Sequence, residues 1–112
     1  MIGIESQDGV VVARLSGDID MANTGAIEDA VGRSVTSEAR GFVLEMTDVT
    51  YLDSAGVRLM YRLDERASGR QQSLVVVVPP GALINRTLEA AGALGSLRIV
   101  ASVDEAVDLL TR

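Results

Sequence analysis

Residues 74–78 read L-V-V-V-V, and this unbroken apolar run constrains the fold more than any other stretch of the chain. A strand with one face in water alternates apolar and polar residues, whereas a strand buried on both faces is a continuous β-branched run. Pro79, Pro80 and Gly81 end the run, because proline lacks the N–H that a sheet requires. Residues 74–78 therefore predict a strand buried on both faces, in an α/β fold whose helices cover the sheet.

Strand-like and helix-like segments alternate along the rest of the chain. Asp8 and Gly9 form a two-residue hairpin signal between two short apolar segments. Further strands are predicted at Ile2–Gln7 and at residues 10–15, 42–46 and 97–100. Helices, recognised by apolar residues at helical spacing, are predicted at residues 24–36, 54–67, 82–92 and from 103 onward. In the third of these helices, Leu83, Leu88 and Ala91 are predicted to face the core.

The resulting element order is ββαβαβαβα. Strands that are separated by helices are expected to run parallel, joined by right-handed crossovers. The first strand enters through a hairpin, so it is expected to be antiparallel. The prediction is one domain over residues 1–112, with a mostly parallel five-stranded sheet and four helices.

The chain lacks the residues on which most catalytic sites depend. It contains no His and no Cys, so it lacks the usual general base, has no thiolate nucleophile and has no Cys-built zinc site. Sixteen acidic residues against ten basic ones give a net charge of −6, which argues against nucleic-acid binding. No signal-peptide pattern opens the chain, and no apolar run approaches the ~20 residues of a membrane helix. We therefore expect a cytoplasmic, non-enzymatic domain without a cofactor, without nucleic-acid binding and without direct membrane insertion.

Residues 47–56 read T-D-V-T-Y-L-D-S-A-G and lie between the third strand and the second helix, at the usual functional edge of an open α/β sheet. Ser54 is predicted at the N-cap, where its hydroxyl satisfies a free backbone N–H. Ser54 is also a candidate phosphorylation site, because a phosphate there meets free N–H groups and the positive end of the helix dipole. A nucleophilic serine is disfavoured, because no histidine is present and Leu52 replaces the first glycine of a nucleophile elbow.

Asp18 and Asp20 belong to a G-D-I-D segment that follows the second strand. A D-x-D pattern after a strand is compatible with an aspartyl-phosphate nucleophile and a magnesium site, but that chemistry typically uses a lysine and this chain has none. The same residues suit a turn in which Asp20 or Asn23 caps the first helix. They also suit a loop that contacts a partner at the same edge as Ser54.

Three segments together resemble the STAS domain of anti-sigma factor antagonists: residues 15–20 (L-S-G-D-I-D), residues 42–49 and residues 51–56 (Y-L-D-S-A-G). The family pattern is roughly an apolar residue, S/T-G-E/D-apolar-D and, later, a strand followed by apolar-D-S-S/A-G. The spacing agrees, and the resemblance covers essentially the whole chain. Ala55 departs from the second serine or threonine that the family often has, and this leaves Ser54 as the single hydroxyl of the motif.

The resemblance implies a switch that acts through protein binding. The unmodified antagonist binds an anti-sigma factor that is also a serine kinase, and the sigma factor is released. The kinase phosphorylates the motif serine, here Ser54, the complex dissociates, and a phosphatase restores the antagonist. Asp53 and Asp20 match the acidic residues of the two family motifs. The alternative is a non-switching interaction subunit, either a stress-signalling scaffold or the partner of a lipid-transport ATPase.

Helical geometry extends the predicted partner surface along residues 54–67. At 100° per residue, the side opposite the core face carries Ser54, Val57, Arg58, Tyr61 and Glu65. Val57 and Tyr61 are predicted to be outward-facing apolar anchors, and Arg58 is one turn from Ser54 and can reach a phosphate. The alternative for Tyr61 is packing under a neighbouring loop. The predicted partner-binding residues, on a monomer or weak dimer, are Asp18, Asp20, Asp53, Ser54, Val57, Arg58 and Tyr61.

Overall fold

Five strands form one sheet in the order in which they occur in the chain. The computed structural model describes every residue from Met1 to Arg112. Its strands are β1 (Ile2–Gln7), β2 (Val10–Ile19), β3 (Gly41–Leu52), β4 (Leu74–Val77) and β5 (Ile99–Val100). β1 runs antiparallel to β2 and every other pair is parallel, as predicted. Asp8 and Gly9 both have positive φ, the geometry that a two-residue hairpin turn requires.

Five helices are present where the sequence predicted four. They are α1 (Thr24–Ser34), α2 (Ser54–Gly69), α3 (Asn85–Ala90), α4 (Ala93–Ser96) and α5 (Val103–Thr111). The helix predicted over residues 82–92 begins late, at Asn85, and ends at Ala90. The additional helix, α4, follows Gly92, whose φ of 74° is left-handed and cannot continue a helix. Of the three residues predicted inward, Leu88 is buried, but Leu83 is 73% exposed and Ala91 is also exposed; Ile84 is buried instead. The longest helix, α2, has 16 residues, and none of the five helices could cross a lipid bilayer.

The helices cover both faces of the sheet unequally. Right-handed crossovers between successive parallel strands place α1, α2, α3 and α4 on one face, where a cluster of 23 buried residues forms the main core. α5 covers the other face, where Ala106 and Val107 pack on valines of β2, β3 and β4. β4 is buried along its whole length between the two layers, as its apolar run predicted.

β2 and β3 extend well beyond their predicted ends. The predicted strands stop at residues 15 and 46, but the pairing continues to Ile19 and Leu52. The extension is irregular: β3 carries an extra residue at two register shifts, and Gly17 takes a φ of 78° beside the second shift. Bulges of this kind interrupt the alternation of apolar and polar residues on which strand recognition depends. Most of the segment over residues 47–56 is therefore strand.

An ion-pair network completes the α5 face of the sheet. Arg14 of β2 lies between Glu5 of β1 and Glu45 of β3. Its Nε donates to Glu5 Oε1 at 2.8 Å, and its Nη1 donates to Glu45. The hydrogen bond to Glu5 raises the pKa of the Arg14 guanidinium, and burial opposes that rise only in part. Three strands are thereby tied together through one side chain.

Arg14→Ala is expected to lower the free energy of unfolding by about 1–2 kcal/mol, because it leaves the mostly buried Glu45 carboxylate without its partner. The matched control is Arg112→Ala, which breaks an exposed pair with Asp108 and is expected to change stability by less than about 0.5 kcal/mol. Urea denaturation of the three proteins measures both effects. Equal stabilities for the two variants would show that the network contributes no more than an exposed ion pair.

Candidate functional site

Ser54 opens α2 as its first helical residue, one position after the N-cap. The N-cap is Asp53, whose Oδ1 accepts a hydrogen bond from the Gly56 backbone N–H at 3.0 Å. The prediction that Ser54 itself caps the helix is therefore wrong by one residue, since the longer aspartate side chain reaches the first-turn N–H from the preceding position. Ser54 is exposed, and its hydroxyl makes no hydrogen bond within the protein. The hydroxyl is thus free for a reaction partner.

Gly56 fixes the first turn of α2 against the ends of two strands. A Cβ on Gly56 would lie 2.3 Å from Leu52 Cδ1 and 3.2 Å from the Ile19 carbonyl oxygen. The Asp53 N–H also donates to the Ile19 carbonyl oxygen at 3.3 Å. The glycine of the D-S-A-G segment is therefore required by close packing, and the position of Ser54 depends on buried contacts directly behind it.

The segment after β2 forms a closed, hydrogen-bonded turn. Asp20 Oδ1 accepts from the Ala22 N–H at 2.9 Å, and Asn23 Oδ1 accepts from the Asp20 N–H at 3.0 Å. Asn23 is the N-cap of α1 but caps no N–H of that helix with its side chain. The predicted capping thus takes another form, in which Asp20 and Asn23 hold the turn before the helix. Asp18, still in β2, accepts a hydrogen bond from the Thr50 hydroxyl at 3.1 Å.

The fold brings the predicted acidic residues to one edge of the sheet. Asp18 is the last but one residue of β2, Asp20 follows that strand, and Asp53 follows β3, whose last residue Leu52 pairs with Ile19. The carboxyl ends of parallel strands meet at the same edge. Ser54 therefore lies at an edge that carries three carboxylates.

The outward face of α2 differs from its prediction at two of its five positions. Val57 is only 8% exposed and packs into the main core, so its predicted exposure is wrong. Tyr61 is half-buried against the same core, and its hydroxyl hydrogen-bonds to Ser96 of α4, in agreement with the alternative of packing under a neighbouring segment. Arg58 is exposed, as predicted. α3 and α4 lie beside α2, so the buried face of α2 is wider than the apolar stripe predicted from helical spacing alone.

An open groove separates α2 from α3, and Ser54 lies in its wall. From α2 the groove is lined by Ser54, Val57, Arg58 and Tyr61, and from the α3 side by Leu83, Arg86, Thr87, Ala90 and Ala91. Sequence analysis missed Leu83 and Arg86 because it placed the third helix in the wrong position. The Pro79–Gly81 turn was the available signal, since a turn of that length delays the start of the helix.

Three segments at the Ser54 edge, two loops and the end of β3, each expose one large apolar side chain. Met21 after β2 is 79% exposed, Tyr51 near the end of β3 is 53% exposed, and Leu83 after β4 is 73% exposed. A single exposed apolar residue means little, but several at one edge indicate a protein contact. None of the three was identified from the sequence as a functional residue.

Comparison with known proteins identifies the family. Residues 1–106 match the model of the STAS domain family. The anti-sigma-F factor antagonist RsfB of Mycobacterium tuberculosis is 24% identical over 106 residues, which cover 95% of this chain and 85% of that protein. The crystal structure of an anti-sigma factor antagonist from Mycobacterium paratuberculosis has a TM-score of 0.88 and 26% identity, covering 100% of this chain and 94% of that one.

The phosphorylated form of the Bacillus cell fate determinant SpoIIAA shares the fold, with a TM-score of 0.70, 18% identity and coverage of 98% of this chain and 99% of that one. The unphosphorylated form of SpoIIAA has a TM-score of 0.75. A family model that spans almost the entire chain agrees with the resemblance carried by residues 15–20 and 51–56. The chain belongs to the STAS domain family.

Proposed function

We propose that this protein is an anti-sigma factor antagonist whose unphosphorylated form binds an anti-sigma factor with serine-kinase activity, and that this kinase phosphorylates Ser54. The observation that carries the proposal is the position of Ser54: exposed, without an internal hydrogen bond, in the first turn of α2 and in the wall of the groove. The names of the relatives from two Mycobacterium species support the antagonist role.

The first turn of α2 suits a phosphoserine. A phosphate at this position meets the free N–H groups of the turn and the positive end of the dipole of a 16-residue helix. The fold therefore has no need to rearrange on modification. That SpoIIAA keeps this fold in both its unphosphorylated and phosphorylated forms supports the same conclusion.

The off-switch is electrostatic. Phosphorylation adds about −1.5 to −2 charges beside Asp53, at an edge that already carries Asp18 and Asp20. The chain has a net charge of −6, so the added charge strengthens a field that is already negative. A kinase that holds the phosphates of its nucleotide against Ser54 is then repelled, and the antagonist dissociates. Restoration requires a phosphatase that removes the phosphate from Ser54.

The exposed apolar residues provide the attractive part of the interface. Met21, Tyr51 and Leu83 offer a discontinuous apolar surface around Ser54, and the acidic residues lie among them. Stable interfaces have this composition, with apolar and aromatic anchors surrounded by polar groups. Because the partner supplies the phosphoryl-transfer chemistry, the antagonist itself needs no catalytic residue.

The experiment that tests the proposal is phosphorylation by the anti-sigma factor kinase of the source organism. With ATP, wild-type protein is expected to gain one phosphate, at Ser54, and Ser54→Ala is expected to gain none. Ser102→Ala is the matched control, because Ser102 is also an exposed serine at a helix N-terminus but lies on the opposite layer, at α5. Phosphopeptide mass spectrometry locates the modification. Labelling of Ser54→Ala at the wild-type rate would reject the proposal.

Leu83→Ala is expected to weaken binding to the anti-sigma factor about 5- to 30-fold, equivalent to about 1–2 kcal/mol. Leu83 is 73% exposed, so its loss leaves the core intact. Leu94→Ala is the control, since Leu94 is also an exposed leucine, at 44%, but lies outside the groove. Isothermal titration calorimetry compares the two variants. Wild-type affinity for Leu83→Ala would remove the groove from the interface.

A further inference from the structure

Two arginines share the groove wall with Ser54. Arg58 follows Ser54 by four residues on α2, and Arg86 projects from α3 on the other side. Both are exposed, and neither forms an ion pair with any carboxylate of the protein. Four of the ten arginines, Arg14, Arg62, Arg66 and Arg112, form ion pairs with carboxylates elsewhere. In a chain with 16 acidic residues, a groove with two unpaired cations and no carboxylate in its lining is suited to an anion.

We propose that Arg58 and Arg86 form a clamp that holds the Ser54 phosphate in the groove between α2 and α3. This inference rests on the proposed function, because it needs a phosphate on Ser54. Residues four apart on a helix lie on the same face, so Arg58 reaches the phosphate from one turn away. Arg86 approaches from the opposite wall. A phosphate presents three acceptor oxygens, and two guanidinium groups bind such an anion through paired N–H donors.

The clamp changes what the groove offers to a partner. Without the phosphate, Arg58, Arg86 and the exposed Leu83 are all available for contact. With the phosphate, both arginines turn toward Ser54, and their charge is neutralised within the antagonist. Modification thus removes two cationic contacts as well as adding negative charge, and it does so without moving the backbone.

A titration of the phosphate tests the clamp directly. Phosphoserine is incorporated at position 54 of the full chain during translation, so the sample does not depend on any kinase. The second pKa of the phosphate, followed by ³¹P NMR, is expected to lie below the value of about 6 for a free phosphoserine. Arg58→Gln and Arg86→Gln are each expected to raise that pKa by about 0.3, the effect of losing one exposed ion pair. Arg33→Gln, an exposed arginine of α1 outside the groove, serves as the control.

The outcomes separate the clamp from the switch. If Arg86→Gln leaves the phosphate pKa at the wild-type value, the helix N-terminus alone holds the phosphate and the clamp is rejected. Arg86→Lys keeps the positive charge but loses the planar guanidinium group. A phosphate pKa between those of wild type and Arg86→Gln supports the clamp, because a variant that failed to fold would not keep part of the shift. A normal kinase switch with an unshifted pKa would reject the clamp and leave the proposed function standing. A lowered phosphate pKa in a protein that no kinase phosphorylates would support the clamp and reject the proposed function.

Discussion

Phosphorylated protein is expected to bind its anti-sigma factor at least about 100-fold more weakly than unmodified protein. Like charges brought together in an interface cost several kcal/mol, and about 2.7 kcal/mol already corresponds to 100-fold. Ser54 is exposed beside Asp53, so the new charge adds to that of a neighbouring carboxylate. Calorimetric titration of the two forms against the kinase bound to a non-hydrolysable ATP analogue measures the ratio, because ATP itself would phosphorylate the unmodified form.

Substitutions of Ser54 separate charge from shape. Ser54→Ala is expected to bind at near wild-type affinity and to resist switching, whereas Ser54→Asp is expected to bind weakly. Ser102→Asp adds the same charge at the N-terminus of α5 and is expected to bind normally. Far-UV circular dichroism is expected to be the same for all of them. A similar affinity for the phosphorylated and unmodified forms would exclude the electrostatic mechanism, whatever the variants do.

The elements with regular periodicity were predictable from the sequence. β1 was predicted with its observed ends, and β4 and the start of α2 were also identified, because an unbroken β-branched run and a helical apolar stripe are local patterns. The functional edge could be inferred too, since the topology sends the ends of β2 and β3 to one side of the sheet. The placement of Ser54 and the acidic residues at that edge follows from this topology alone.

The remaining features depend on tertiary contacts that no local pattern encodes. Val57 is buried because α3 and α4 lie beside α2, and their position follows from the turn at Pro79–Gly81 and the left-handed Gly92. The extension of β3 to Leu52 depends on two bulges in β3 that keep it paired with β2. Arg86 and Leu83 were missed for the same reason, since residues on a displaced helix cannot be assigned to a face.

Gly56→Ala is expected to lower the free energy of unfolding by about 1–2 kcal/mol. The added methyl would lie 2.3 Å from Leu52 Cδ1, and overpacking of this kind typically costs about 1–3 kcal/mol. Part of this is offset by the higher helix propensity of alanine, worth up to about 1 kcal/mol. Chemical denaturation measures the net effect.

Gly25→Ala is the matched control, because Gly25 also lies in the first turn of a helix but has no atom within 4 Å of an added Cβ. With no clash to offset the propensity gain, Gly25→Ala is expected to stabilise the protein, so the two variants should change stability in opposite directions.

The clash at Gly56 also has a functional consequence. The Ile19 carbonyl oxygen, 3.2 Å from the added methyl, belongs to the β2–β3 ladder and resists displacement, so the first turn of α2 must move instead and carry Ser54 with it. Gly56→Ala should therefore be phosphorylated more slowly than wild type at a temperature where both are folded, and normal phosphorylation would show that the Leu52 side chain alone absorbs the clash.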